Sequence, residues 1–321
     1  MDINERIALV KQNTEEIIDE DQITSLLKQK KKPVTYCGYE TSGEIHLGHL
    51  VTITKLLDLM KAGFHVKVLF ADWHTWLNQK GDWDFIHKEI KVWENGFKAA
   101  GLSDAEFVLG SSFQRKLDYI DDVMNIAVKT TLQRALRSMQ QVARDIENAK
   151  VSQVIYPIMQ IVDIKHLGVD LVQAGIEQRK IHMLGVEVLP SIGYKKPVFV
   201  HTPLIPSLQG PGSKMSSSVP ESMISIRDTD AEIARKIKKA YCEEGIVEEN
   251  PILSIARLVI FPRYSDIEIK RNPKFGGNVK FTNYNDLEKA FGNKELHPLD
   301  LKNFVSDKLI EIITPIRKQF K

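Results

Sequence analysis

The sequence predicts an α/β fold, a parallel sheet with a smaller α-helical domain after it, and three observations predict it. Short β-like runs alternate with helical stretches from residue 33 to about residue 210. The first two runs enclose a helix, a βαβ unit whose strands must be parallel. After Ser218 the β-like runs give way to helical patterns.

In chain order, Ile3, Ile7 and Val10, then Ile17 and Ile18 behind a cap at Asn13 or Thr14, predict short helices that end at Lys30-Lys31-Lys32-Pro33. Pro33–Gly38 predicts a strand and Gly38–Gly43 a turn. Leu47–Lys61 predicts a helix with Leu47, Leu50, Val51, Leu57 and Leu59 among its apolar positions, and His65–Ala71 a second strand after Gly63. Ala105–Leu109, Leu171–Ala174 and Pro197–Val200 extend the alternation, which makes this part Rossmann-like. Beyond the joint at Pro220 to Asp228, helices are expected over Asp230–Tyr241, Pro251–Val259, Tyr284–Phe291 and Pro298–Phe320. The expected division is an N-terminal helical segment (1–32), the α/β domain (33–220) with a helical insertion near 75–150, and a helical domain (221–321).

With 321 residues, 43% hydrophobic and 27% charged, the composition is that of an ordinary globular protein. The net charge of +2, from 44 basic and 42 acidic residues, speaks neither for nor against nucleic acid. Cys37 and Cys242 are the only cysteines, too few for a zinc cluster, and are expected to be packing residues. No apolar run reaches membrane-spanning length, and Met1-Asp2-Ile3-Asn4-Glu5 lacks the blocks of a signal peptide, so a cytoplasmic location is expected.

Two segments carry chemistry. His46-Leu47-Gly48-His49 opens a helix after a strand, placing two imidazoles and the helix N–H groups where an anion sits, with Gly48 permitting close approach. Lys214-Met215-Ser216-Ser217-Ser218 follows Gly210-Pro211-Gly212-Ser213 and offers a cation and several donors on one loop. Together they suit a nucleotide triphosphate and adenylyl transfer. Tyr156, Gln160 and Asp163, at i, i+4 and i+7, share one helix face, either a surface stripe or, as the apolar residues around them favour, a partly buried one whose carboxylate needs a partner. Leu132, Leu136, Met139 and Ala143 form an apolar stripe, opposite which Arg134, Arg137 and Arg144 make either a solvated face or a grip on RNA. Asp72, at a strand end, is either a helix cap or a pocket support.

With these two motifs the chain resembles the class I aminoacyl-tRNA synthetases. Around Tyr36, Tyr156–Asp163 and Gly175-Ile176-Glu177-Gln178-Arg179-Lys180 it is similar, almost end to end, to the tyrosyl-tRNA synthetases of the archaeal and eukaryotic kind. It departs from them at Thr41, where many have proline, and at Leu47 within the first motif; neither change removes a reacting group. The resemblance implies that the carboxylate of L-tyrosine attacks the α-phosphorus of ATP and that tyrosine then passes to the 3′ end of tRNA(Tyr), with His46, His49 and Lys214 stabilising charge. Tyr36 and Asp163 would bind the phenol, Tyr156, Gln160 and Gln178 the ammonium group, and Glu40 would line the pocket. Gly48, Glu177, Met215, Ser216, Ser217 and Ser218 would bind ATP, Glu177 at the ribose. Mg2+ would accompany ATP on its phosphates, with no protein metal cage. Residues 33–220 would be the catalytic domain and 221–321 the anticodon-binding domain.

Arg137 and Arg179 would contact the acceptor arm, Arg179 at its first base pair, while Phe275 stacks on an anticodon base whose edge meets His297 and Asp300. The family is usually a homodimer joined through the insertion. The alternatives are a tryptophanyl-tRNA synthetase, against which Asp163 with Tyr36 argues; a small-molecule nucleotidyltransferase; and a noncatalytic RNA-binding paralogue.

Overall fold

The computed structural model describes residues 1–143, 147–212, 215–216 and 219–319, and of Phe275 the backbone alone. In chain order the elements are α1 (Ile3–Lys11), β1 (Glu16–Ile18), α2 (Gln22–Gln29), β2 (Val34–Tyr39), α3 (Leu47–Lys61), β3 (His65–Phe70), α4 (Asp72–Leu77), α5 (Trp83–Phe97), β4 (Glu106–Leu109), α6 (Leu117–Ala127), α7 (Leu132–Met139), α8 (Val151–His166), β5 (Leu171–Gly175), α9 (Arg179–Val188) and β6 (Val198–Thr202). After them come α10 (Asp230–Lys239), α11 (Pro251–Ile255), β7 (Ile267–Ile269), β8 (Val279–Phe281), α12 (Tyr284–Gly292) and α13 (Pro298–Lys318). The chain divides into two compact units, one of residues 1–42, 55–94 and 102–203, the other of 43–54, 95–101 and 204–321.

The first unit is built on a six-stranded sheet in the order β1-β6-β5-β2-β3-β4, parallel except for β1. The five strands expected from sequence are β2 to β6. Strand order reverses at β2, which pairs with β3 on one side and with β5 on the other, Tyr36 opposite Val172. In open α/β sheets the crevice beyond the strand ends at such a reversal is where ligands bind. Tyr36, Leu69 and Val172 from the sheet pack in one buried cluster with Tyr119 and Ile126 of α6, Ile161 and Val162 of α8 and Ile181 of α9.

The N-terminal segment departs from expectation: Ile17 and Ile18 lie in a strand, not a helix. β1 pairs antiparallel with β6, Glu16 opposite His201, and the helix comes later, at α2. Two β-branched residues are as suited to a strand, and a partner 180 residues away decided the matter.

The end of α1 is closed from a distance. The buried Lys55, on α3, donates to the carbonyls of Leu9 (3.0 Å), Val10 (2.8 Å) and Gln12, groups that a helix end leaves unpaired. Burial pulls its pKa down to about 8. Replacing Lys55 with Met would leave these acceptors without their donor, and denaturant unfolding is expected to register a loss of about 3 kcal/mol.

In the second unit α10 packs along α13, both helices lying where expected, as does α12. The predicted Pro251–Val259 helix is α11 followed by a wider turn over Ala256–Ile260. The β7–β8 hairpin lies outside the sequence expectations; its strands are three residues each.

Candidate active site

His46 precedes α3 and faces Ser225 in an isolated antiparallel bridge, with Leu47 N–H donating to Ile224 O and Ile226 N–H to Ile45 O, both at 3.0 Å. The first motif is thus paired to the chain just beyond the second, at Ile224 to Ile226. Gly48 N–H donates to His46 Nδ1 (3.1 Å) and His46 N–H to His49 Nδ1 (3.1 Å). Since each Nδ1 accepts, the ring proton sits on Nε2. The ring centroids are 4.1 Å apart. A Cβ on Gly48 would lie 2.8 Å from His46 Cε1, so only glycine allows the His46 ring to fold over the helix start. The Leu47 side chain is buried.

In the second motif Met215 is buried and Ser216 N–H donates to Ser222 Oγ (3.2 Å). Lys214, Ser217 and Ser218 lie outside the described residues.

The first unit holds the expected pocket residues. α8 forms over Tyr156, Gln160 and Asp163, and buries the first and last of these. Asp163 Oδ1 accepts from Gln114 Nε2 and Tyr119 Oη, both at 2.8 Å. Its Oδ2 has no hydrogen-bond partner among the described residues and lies 3.8 Å from His74 Nε2. Burial, with the Asp72 charge adding to it, raises the Asp163 pKa to about 7 against the two hydrogen bonds. Burial takes His74 down to about 4, so it is neutral beside Asp163, and its ring meets Tyr156 edge-on at 4.6 Å. Tyr36 is buried on β2, and burial followed by the Asp163 charge holds its phenol well above the usual range.

At the other end of this residue set Gln160 Nε2 donates to Gln178 Oε1 (3.2 Å). Glu177 Oε2 is buried without a hydrogen-bond partner among the described residues, and a Cβ on Gly175 would come within 2.1 Å of it. Glu40 accepts from Asn78 (2.9 Å) and Lys80 (2.6 Å). Asp72 Oδ1 accepts from Trp73 and Ser111 N–H (2.9 Å each), tying the ends of β3 and β4 together; Ala71, not Asp72, occupies the cap position of α4. The structure therefore gathers around Asp163 a set that spacing did not reveal: Gln114, Tyr119, His74 and Asp72's charge. Gln114 and Tyr119 sit in the stretch read only as insertion.

The other predicted contacts fall elsewhere. On α7 the buried face is Ala135, Ser138 and Met139; of the stripe read from sequence Met139 is buried, Leu136 and Ala143 are half-buried, and Leu132 is exposed. Arg137 is exposed, Arg134 pairs with Glu187 (2.5 Å), and Arg144 lies outside the described residues. Arg179 opens α9 and makes a two-point contact with Glu16, Nε to Oε2 at 2.7 Å and Nη2 to Oε1 at 2.8 Å. In the second unit Phe275 ends a short turn closed by Gly276 at φ 95°; Phe275's side chain lies outside the description. His297 caps α13, its Nδ1 accepting from Leu299 N–H (3.1 Å), and Asp300 lies in the first turn. Cys37 and Cys242 are free thiols outside any disulfide, Cys37 buried.

A family model described as tRNA synthetases class I (W and Y) matches residues 28–314. The tyrosine–tRNA ligase of Archaeoglobus fulgidus is 49% identical over 99% of this chain and 98% of its own length. That of Methanocaldococcus jannaschii is 50% identical over 97% and 98%. The crystal structure of the Archaeoglobus fulgidus tyrosyl-tRNA synthetase complexed with L-tyrosine superimposes with a TM-score of 0.96 over the whole of both chains.

Proposed function

Because the chain belongs to the class I tRNA synthetases of the tryptophan and tyrosine group, we propose how its residues divide the work of a tyrosine–tRNA ligase. The activity is ATP-dependent ligation of tyrosine to tRNA. The observation that carries the residue assignment is Asp163 Oδ2, a buried carboxylate oxygen without a hydrogen-bond partner among the described residues, in the same buried region as Tyr36. A substrate phenol donates to Asp163 and accepts from Tyr36. Phenylalanine leaves both groups unpaired, at a cost of about 1–3 kcal/mol for each. An indole offers no oxygen to Tyr36, and the tryptophan alternative is the less supported.

Tyr156, Gln160 and Gln178 take the ammonium group, Glu40 lines the pocket, and Glu177 Oε2 accepts from the ATP ribose. The tyrosine carboxylate is ionised at neutral pH, so adenylation needs no general base. Gly48 leaves room at the helix start, while the Nε2–H groups of His46 and His49, the cation of Lys214 and the donors of Met215 to Ser218 stabilise charge on the phosphates. Mg2+ would accompany ATP and be held mainly by its phosphates, where it would offset their charge. Residues 33–220 serve catalysis and 221–321 the anticodon, where Phe275, His297 and Asp300 read one base; Arg137 and Arg179 meet the acceptor arm. The cytoplasm is the proposed location, and among the described residues no helix is long and apolar enough to cross a membrane.

We further propose a homodimer joined through α6. Leu117, Ile120, Met124 and Val128 form an exposed apolar stripe there, Leu117 at 84% and Val128 at 86% exposure. Met124→Lys is expected to convert the dimer to monomer in sedimentation velocity.

The test of the whole reading is ATP–pyrophosphate exchange with each of the twenty amino acids, followed by charging of tRNA. Exchange with tyrosine alone is the expected result; exchange with tryptophan, or none, would overturn it.

A further inference from the structure

Arg179 is not simply an exposed cation. The two bonds to Glu16 use its Nε–H and one Nη2–H, which fixes the plane of the guanidinium and leaves three of its five N–H groups for another ligand. Glu16 is itself held. Its strand β1 is paired with β6, and Glu16 Oε2 also lies 3.2 Å from Nδ1 of its cross-strand neighbour His201, whose Nε2 lies 2.8 Å from His182 Nδ1. Both rings are buried, and burial keeps both neutral.

The protons along this chain follow from its end. An ionised Glu16 accepts from His201 Nδ1–H, so His201 Nε2 is bare and accepts from His182 Nδ1–H. His182 Nε2 is then a bare acceptor, and it is buried without a hydrogen-bond partner among the described residues. A half-exposed ion pair contributes little to stability, and a buried histidine pair with an unpaired nitrogen costs some. An arrangement that is costly inside and weak outside is explained by the orientation it imposes.

We propose that Glu16, backed by His201 and His182, is a positioning residue for aminoacylation: it holds the Arg179 guanidinium in one plane so that its remaining N–H groups meet the first base pair of the acceptor arm. This rests on the reading that Arg179 contacts that base pair.

The test compares the full-length enzyme and its Glu16→Gln, Glu16→Asp, Arg179→Ala and Glu16→Gln/Arg179→Ala variants. Each is assayed for tyrosine-dependent pyrophosphate exchange and for kcat/KM in charging two tRNA(Tyr) transcripts, native and with the first base pair transposed. Glu16→Gln is expected to reduce the native-to-transposed ratio on the order of tenfold with exchange unchanged. Glu16→Asp, which keeps the charge and withdraws it by one methylene, should fall between, and the double variant should match Arg179→Ala. Full discrimination by Arg179→Ala would remove Arg179 from the RNA interface and the proposal with it. Loss in Arg179→Ala with full discrimination in Glu16→Gln, or a double variant worse than Arg179→Ala, would leave the Arg179 reading intact and overturn the role of Glu16.

Discussion

Asp163→Asn is expected to lower kcat/KM for tyrosine in pyrophosphate exchange by about 100-fold without lowering the melting temperature. Asparagine keeps an acceptor where Gln114 and Tyr119 donate and puts an N–H donor in place of Oδ2. The substrate O–H then faces a donor, and losing a charged acceptor in a buried site costs about 1.5–3 kcal/mol. Stability moves the other way. With a pKa near 7 folded against 3.8 unfolded, the folded wild-type protein binds the extra proton between these values, so its stability falls as pH rises from about 4 to 7. The variant should lack that slope. The same group predicts that wild-type kcat/KM for tyrosine falls as pH drops below about 7, because protonation of the free enzyme removes the acceptor. An Asp163→Asn enzyme with wild-type tyrosine kinetics would remove Asp163 from the substrate.

His49→Ala is expected to slow formation of tyrosyl-adenylate by about 10²–10³-fold in single turnover, with tyrosine binding nearly unchanged. The backbone N–H of His46 fixes the His49 ring through Nδ1 and aims its proton from Nε2. A donor fixed in place costs no reorganisation as phosphate charge builds up, and truncation removes it from the transition state more than from the ground state. His49→Asn, which restores a short donor, should recover part of the rate. Equal losses in tyrosine binding and adenylation would instead indicate that His49 shapes the fold.

The fold was largely legible because its signals are local. Strands β2 to β6 and α3 follow from apolar period and from Pro and Gly punctuation, and α3 has the bounds Leu47–Lys61 that the pattern indicated. The helix bearing Tyr156, Gln160 and Asp163 was legible for the same reason. On α7 the stripe was legible in part: Met139 is buried as the apolar period indicated, whereas Leu132 satisfied that period and is exposed, and the surrounding structure buried Ala135 and Ser138.

The sequence by itself determined the α/β order; it also displayed the two motifs proposed here for the nucleotide and, through likeness to a known family, the pair Tyr36 and Asp163 proposed for the phenol. Only the tertiary structure decided that Ile17 and Ile18 are strand, that Gln114 and Tyr119 hold Asp163 from 49 and 44 residues away, and that Glu16 grips Arg179 across 163 residues. Periodicity records which face of an element is apolar. It does not record which distant polar group that element will meet, and hydrogen bonds between buried side chains exist only once the chain has closed around them.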